Sequence, residues 1–220
     1  MVHTVLAKFR RWRMTTLKPF GDPASPEGVR LTLGDRDGGV ARALAAAFGG
    51  VPAVEVVEGD LLDADCEAIV SPANSFGDMG GGIDKAIDDF HRGAAQRAVM
   101  DAIAEHFYGE LPVGMAVVVE LPGRRLPFVV ASPTMRVPGR VPHSLNAYLA
   151  MRAALVAVLR HNAAARRPIR ALAVPGLCTG VGAMPAAEAA MQMRTAYDIV
   201  MGGHWRRVVH PAMAPYAMRP

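Results

Sequence analysis

Two cysteines, Cys66 and Cys178, are the only thiols in 220 residues. That leaves no disulfide framework and suits a reducing compartment, so a cytoplasmic location is expected. Lysine is scarce as well: Lys8, Lys18 and Lys85 are the three in the chain, and the formal net charge of +4 rests mostly on arginine. An excess that small favours anionic ligands in general without choosing one. Long apolar runs are missing too. Arg, Glu or Pro interrupts each before it could cross a bilayer, so no transmembrane helix and no membrane partner is expected. The histidines have neither an HxxxH arrangement nor Cys/His ligand spacing, so no metal site is expected, and nothing in the chain implies a cofactor. There is no internal repeat and no low-complexity block.

What remains suits one well-buried α/β core; the length is short for two. The first thirty residues stand apart. Lys8, Arg10, Arg11 and Arg13 cluster around Trp12, and Pro19 to Pro26 reads as a linker. The segment has two readings, a nucleic-acid or targeting arm and a frayed tail, with Met14 as an alternative start. It has no long apolar stretch of the secretory kind. The tail is the preferred reading, and nucleic acid is not an expected partner. The expected organisation is a basic, proline-containing extension over 1–28 and a single domain over 29–220.

Past the extension the punctuation is regular. Val29–Leu33, Val54–Val57, Ala68–Val70, Met115–Leu121, Phe128–Ser132 and Ile169–Val174 read as strands, and Arg206–His210 as a last short one. Gly39–Phe48, Ile83–Phe90, Ala94–Phe107, Ser144–Ala165 and Pro185–Met201 read as helices. Gly49-Gly50 and Gly109 act as stops, Ser144 or His143 as a cap, and Pro185 occupies a first turn. Strands alternating with helices predict a sheet covered on both faces, with ligands in the crevice beyond the strand C-termini.

Two junctions carry the chemistry. Ala68-Ile-Val-Ser-Pro-Ala-Asn74 is an apolar strand that delivers an asparagine onto Gly80-Gly81-Gly82-Ile83-Asp84, where a helix starts. Ala171-Leu-Ala-Val-Pro-Gly-Leu-Cys-Thr-Gly-Val-Gly-Ala-Met-Pro185 repeats the arrangement. A strand, a glycine loop and a helix start gather unpaired backbone N–H groups with a helix N-terminus, which suits phosphate. Two such loops at one end of a sheet could hold a diphosphate between them.

Gly59-Asp60-Leu61, Ser71-Pro72-Ala73-Asn74, Gly80-Gly81-Gly82 and Cys178-Thr179-Gly180-Val181-Gly182, in this order and spacing, resemble the macrodomain family of ADP-ribose-binding modules, as a divergent bacterial- or phage-type member. The likeness runs from about Leu31 to Gly203. It implies a three-layer α/β/α sandwich with a mixed, mostly parallel central sheet. It also implies that ADP-ribose or a related nucleotide, free or carried on an ADP-ribosylated macromolecule, is the partner. The residues it assigns to the ligand are Asp60, Leu61, Asn74, Gly80, Gly81, Gly82, Ile83, Cys178, Thr179, Gly180, Val181 and Gly182. Asp60 would accept from the adenine amino group, Asn74 would meet the distal ribose, and Asn74 and Asp84 are the catalytic candidates. Each has a plainer reading: a turn carboxylate, an asparagine in left-handed conformation, and an acid that stabilises the first turn of a helix.

The chain departs from the pattern of the family it resembles in three places. Ser71 and Asp88 stand where the hydrolytic subgroup with Asn at both ends of its asparagine motif has its first asparagine and a histidine, and Gly182 stands where many members have an aromatic. Loss of that ring is expected to open the pocket or to leave ribose packing to Phe76 or Met184. Three functions therefore stay open. The first is hydrolysis of an ADP-ribosyl, O-acetyl or terminal phosphate ester, and the second is a non-catalytic ADP-ribose reader. The third is a cysteine hydrolase, since Gly176-Leu-Cys178-Thr-Gly180 fits a nucleophile elbow with Asp198 and then His204 or His210 downstream. Asn146 is expected to brace a loop from inside its helix, and Tyr216 is a candidate for stacking on adenine.

Overall fold

The computed structural model describes residues 28–123, 125–207 and 210–213. The expected extension, but for residue 28, and Tyr216 lie outside the described residues. Six strands form one sheet: β1 Arg30–Asp35, β2 Val54–Glu58, β3 Ala68–Ser71, β4 Val117–Glu120, β5 Phe128–Ala131 and β6 Ala171–Pro175, in the order β2-β1-β6-β3-β5-β4. Every pairing is parallel except β4 with β5. Five helices cover it: α1 Gly38–Phe48, α2 Gly82–Phe90, α3 Ala94–Phe107, α4 Asn146–Ala164 and α5 Ala186–Val200. This is the expected three-layer α/β/α sandwich with a mixed, mostly parallel sheet.

Side chains of successive strand residues point to opposite faces, and the sequence uses that period with size in mind. In β6, Leu172 and Val174 enter the core shared with α1, α4 and α5, while Ala171 and Ala173 face the core under α2 and α3. In β3 and β5, Ala68, Val70, Phe128 and Val130 take the first face, and Ile69, Val129 and Ala131 the second. Fully buried Leu31, Leu33, Phe128, Met151 and Leu155 each contribute about 1.5–3 kcal/mol. Buried Ala147, Ala150 and Ala154 of α4, with Ala189, Ala190 and Ala196 of α5, let those two helices approach closely.

The ends of elements differ in informative ways. Helix α1 is capped by Asp37, whose Oδ1 accepts from Gly39 N at 2.7 Å and Val40 N at 3.2 Å. Helix α2 begins at Gly82 behind Gly81 with no side-chain cap, so its first N–H groups stay open. Helix α4 starts at Asn146, later than the expected Ser144; the Ser144 hydroxyl donates to Val141 O at 2.8 Å and accepts from Asn146 N at 3.3 Å. The expected strand over Arg206–His210 does not form as read: Arg206 and Arg207 close a 3-10 turn, His204–Arg207, and residues 208–209 lie outside the described set.

Topology then orders the site. Parallel strands β2, β1, β6, β3 and β5 all end on one side, at Glu58, Asp35, Pro175, Ser71 and Ala131. The loop after β2 therefore lies at one end of this row and the loops after β3 and β5 at the other. The loop after β6 sits beside that after β3.

Candidate functional site

A cleft of about 700 Å³ opens beyond these strand ends, and Asp60, Leu61, Asn74, Gly80, Gly81, Gly82, Ile83, Asp84, Cys178, Thr179, Gly180, Val181 and Gly182 all line it. Residues that are far apart in sequence thus share one wall. Joining them are Arg36, Asp78, Met135 and Pro138, which the sequence reading did not single out.

The middle of the cleft is built from backbone. Among the described residues, the N–H groups of Gly81, Gly82 and Ile83 in one loop, and of Thr179, Gly180 and Val181 in the other, have no protein acceptor. Gly82 has φ +56°, a left-handed conformation that glycine takes without strain. Cys178 takes φ +65° despite its side chain, and the turn that follows is closed by Met184 N donating to Cys178 O at 3.0 Å. An uncapped helix N-terminus and a second loop of unpaired amides lining one cleft form an arrangement that suits an anion.

At the β2 end, the Asp60 carboxylate caps the short turn Leu61–Asp63. Its Oδ1 accepts from Leu62 N at 3.0 Å and its Oδ2 from the Arg36 guanidinium. The Leu62 N–H bond and the Arg36 contact together outweigh partial burial and hold its proton affinity below the usual carboxylate range. Both the capping reading and an acceptor role fit this geometry, since each oxygen keeps a second lone pair.

At the β3 end the chemistry reverses. Asp84 lies in the first turn of α2 and accepts from the Ser71 hydroxyl at 2.6 Å. Burial raises its pKa to about 7; the nearby Asp78 charge adds to the rise, and the Ser71 hydroxyl and Ala73 N–H oppose it. Ser71 itself is fully buried. Asn74 is not in a left-handed conformation. Its Oδ1 accepts from Phe76 N at 3.0 Å and Asp78 N at 3.4 Å, while Nδ2 reaches Asp78 O only at 3.3 Å. The carbonyl side of this amide is thus committed to its own turn, and the donor side is loosely held.

Three expectations change with the structure. Gly182 does not open the pocket for want of a ring. A side chain there would place Cβ 2.5 Å from Cys178 O and 3.0 Å from Val141 Cγ2, because the loop after β5 packs onto it through Val141 N donating to Gly182 O at 2.8 Å. Nor do Phe76 or Met184 line the cleft; Met135 and Pro138 stand at that end instead. Cys178 is buried, and desolvation pushes its thiol up to about 12, the Thr134 hydroxyl opposing the rise only in part. That is the opposite of an activated thiolate, and α5 starts only at Ala186, so a cysteine elbow is not what this loop builds.

Two side chains find structural work. Asp88 accepts from Gln96 N at 2.8 Å, and Gln96 Oε1 accepts from Met79 N at 2.8 Å, so α2, α3 and the glycine loop are tied together. Asn146 does brace a loop: its Nδ2 donates to Thr134 O at 2.8 Å.

Comparison with known proteins agrees with the fold. The Macro domain family model matches residues 70–193. This chain belongs to the macrodomain family. An uncharacterised protein of Aeropyrum pernix is 35% identical over 73% of this chain and 79% of its own length. The macrodomain of Mycobacterium tuberculosis DarG superposes with a TM-score of 0.53 at 25% identity, over 64% of this chain and 87% of that one. The Oceanobacillus iheyensis macrodomain with ADP gives 0.54 at 23% identity, covering 66% and 74% respectively, which is a likeness of fold.

Proposed function

We propose that the cleft binds ADP-ribose, free or attached to a macromolecule, with the nucleotide laid along the row of strand ends. The observation that carries this is the pair of facing loops whose amides, Gly81 to Ile83 and Thr179 to Val181, have no protein acceptor. They suit a diphosphate, and the macrodomain membership supports the same ligand. In this pose adenine meets Asp60, whose fixed carboxylate accepts from an exocyclic amine and repels a carbonyl oxygen. The distal ribose then lies between Asn74, Asp84, Met135 and Pro138, and Asn74 Nδ2, loosely held by Asp78 at 3.3 and 3.5 Å, can turn toward a ribose hydroxyl.

A second reading, hydrolysis at the anomeric carbon of that ribose, is favoured by Asp84. A carboxyl with a pKa of about 7, held by Ser71 at 2.6 Å, is suited to take a proton from a water near neutrality. The buried, unionised thiol of Cys178 gives no comparable support to a cysteine mechanism.

Calorimetric titration with ADP-ribose, and with AMP and NAD for comparison, tests the first reading. Binding with a Kd of about 1 μM, or −8 kcal/mol, and clear selectivity for ADP-ribose is expected. No heat with any of the three removes it.

A further inference from the structure

The cleft is poor in positive side chains for a site meant for phosphate. Asp35, Asp37, Asp60, Asp78 and Asp84 all line it, and among the described residues Arg36 is the single basic side chain in the lining. Arg36 is held by Asp60 at the β2 end. Two cations near the other end in sequence are also spoken for, and Arg140, exposed two residues past Pro138, does not line the cleft. Lys85 Nζ binds Asp89 at 2.6 Å, and Arg136 binds Glu110 at 2.7 Å while lying over the Phe76 ring. Anion binding in this cleft therefore rests on backbone amides and the α2 N-terminus, and those face the middle.

The end beyond the middle is negative. Asp78 is exposed there, bonded through Oδ1 to Gly80 N at 3.0 Å and close enough to Asp84 for its charge to be felt. The α2 N-terminus offers roughly half a positive charge. A carboxylate at Asp78, joined by Asp84 as it ionises, exceeds that, so a phosphate placed here, beyond the diphosphate, meets net repulsion.

We infer that Asp78, with Asp84, is a specificity determinant that makes the site reject ADP-ribose bearing a phosphate on its distal ribose and accept uncharged or cationic substituents there. The inference rests on the ADP-ribose reading above. It narrows the substrate class of the site to acyl esters and other non-anionic conjugates, and it excludes a terminal-phosphate phosphatase. Asp78 acts here on what may enter, through charge, and needs no contact with the reacting atoms.

Competition titrations of ADP-ribose against ADP-ribose-1″-phosphate test it, on the natural chain and on Asp78→Asn. Asparagine keeps the oxygen that accepts from Gly80 N and gives up, besides the charge, only the long 3.5 Å contact of Oδ2 with Asn74 Nδ2, so the loop is retained. Above neutrality the phosphorylated ligand is expected to bind about tenfold or more weakly than ADP-ribose, and Asp78→Asn to shrink that ratio by at least about threefold. Equal or tighter binding of the phosphorylated ligand, with ADP-ribose bound normally, overturns this inference alone. A ratio unchanged in Asp78→Asn overturns the role of Asp78. Failure of ADP-ribose itself to bind overturns the underlying reading and this inference with it.

Discussion

Asp60 and Asp84 are the same residue type in the same cleft, and the fold gives them opposite proton affinities. Asp60 sits at the edge, pinned by Leu62 N–H and Arg36, and its carboxyl is held low. Asp84 sits over the inner end of β3 with one hydroxyl and one amide for company, and burial carries it to about 7. A low, doubly bonded carboxylate stays ionised at any physiological pH, so it can serve as a fixed acceptor. A carboxyl poised near neutrality can exchange its proton during a reaction. The difference comes from donors and solvent, because a nearby cation and backbone N–H favour the charged form and desolvation opposes it.

The largest effect that tests this contrast is on turnover. Asp84→Ala should lower the rate of ADP-ribosyl or acyl-ester hydrolysis by about 10²–10⁴-fold while leaving the ADP-ribose Kd within about threefold, as expected for a proton-transfer group. Single-turnover assays alongside calorimetry read both numbers; an unchanged rate removes Asp84 from the chemistry. Asp60→Ala should do the reverse. Losing a charged acceptor costs about 1.5–3 kcal/mol of affinity, roughly tenfold to a hundredfold, and abolishes preference for adenine over hypoxanthine in competing ligands. Retained adenine preference would leave Asp60 with its turn-capping role alone.

A smaller effect concerns stability. Asp84 binds its proton more tightly in the folded chain than in the unfolded one, where the reference value is 3.8. Between that value and about 7 the folded state holds the extra proton, so raising the pH through this window costs stability, and the deficit is complete above it. Asp84→Asn should flatten the dependence and make the protein more stable than the natural chain at alkaline pH, on the order of 2 kcal/mol after discounting for the solvent in the cleft. Urea melts across the pH range check this; parallel curves for the two proteins would mean that Asp84 titrates normally.

Much of the fold was legible because the strands are short apolar runs and because glycine and proline mark the ends of elements. The site's outline was legible too, since both glycine loops follow apolar strands and topology alone puts them side by side. Contacts across sequence were not. Nothing near Ser71 signals that its hydroxyl lies 2.6 Å from Asp84 Oδ1, thirteen residues on. Gly182 read as a missing ring, and only the packing of Val141 shows why no side chain fits there. Asp78 carried no signal in the sequence, and only the cleft shows it near Asp84. Arg36 carried no signal of its own, and the ion pair with Asp60 depends on the adjacency of β1 and β2.

The most direct measurement is a carbon-detected NMR titration of the Asp60 and Asp84 carboxyls in one sample, free and saturated with ADP-ribose. Asp84 should titrate near 7 and Asp60 below the usual carboxylate range, and both should shift when the ligand binds. Two carboxyls titrating together at about 4, the ordinary aspartate value, with neither moved by ADP-ribose, would contradict the assignment of both ends of the cleft.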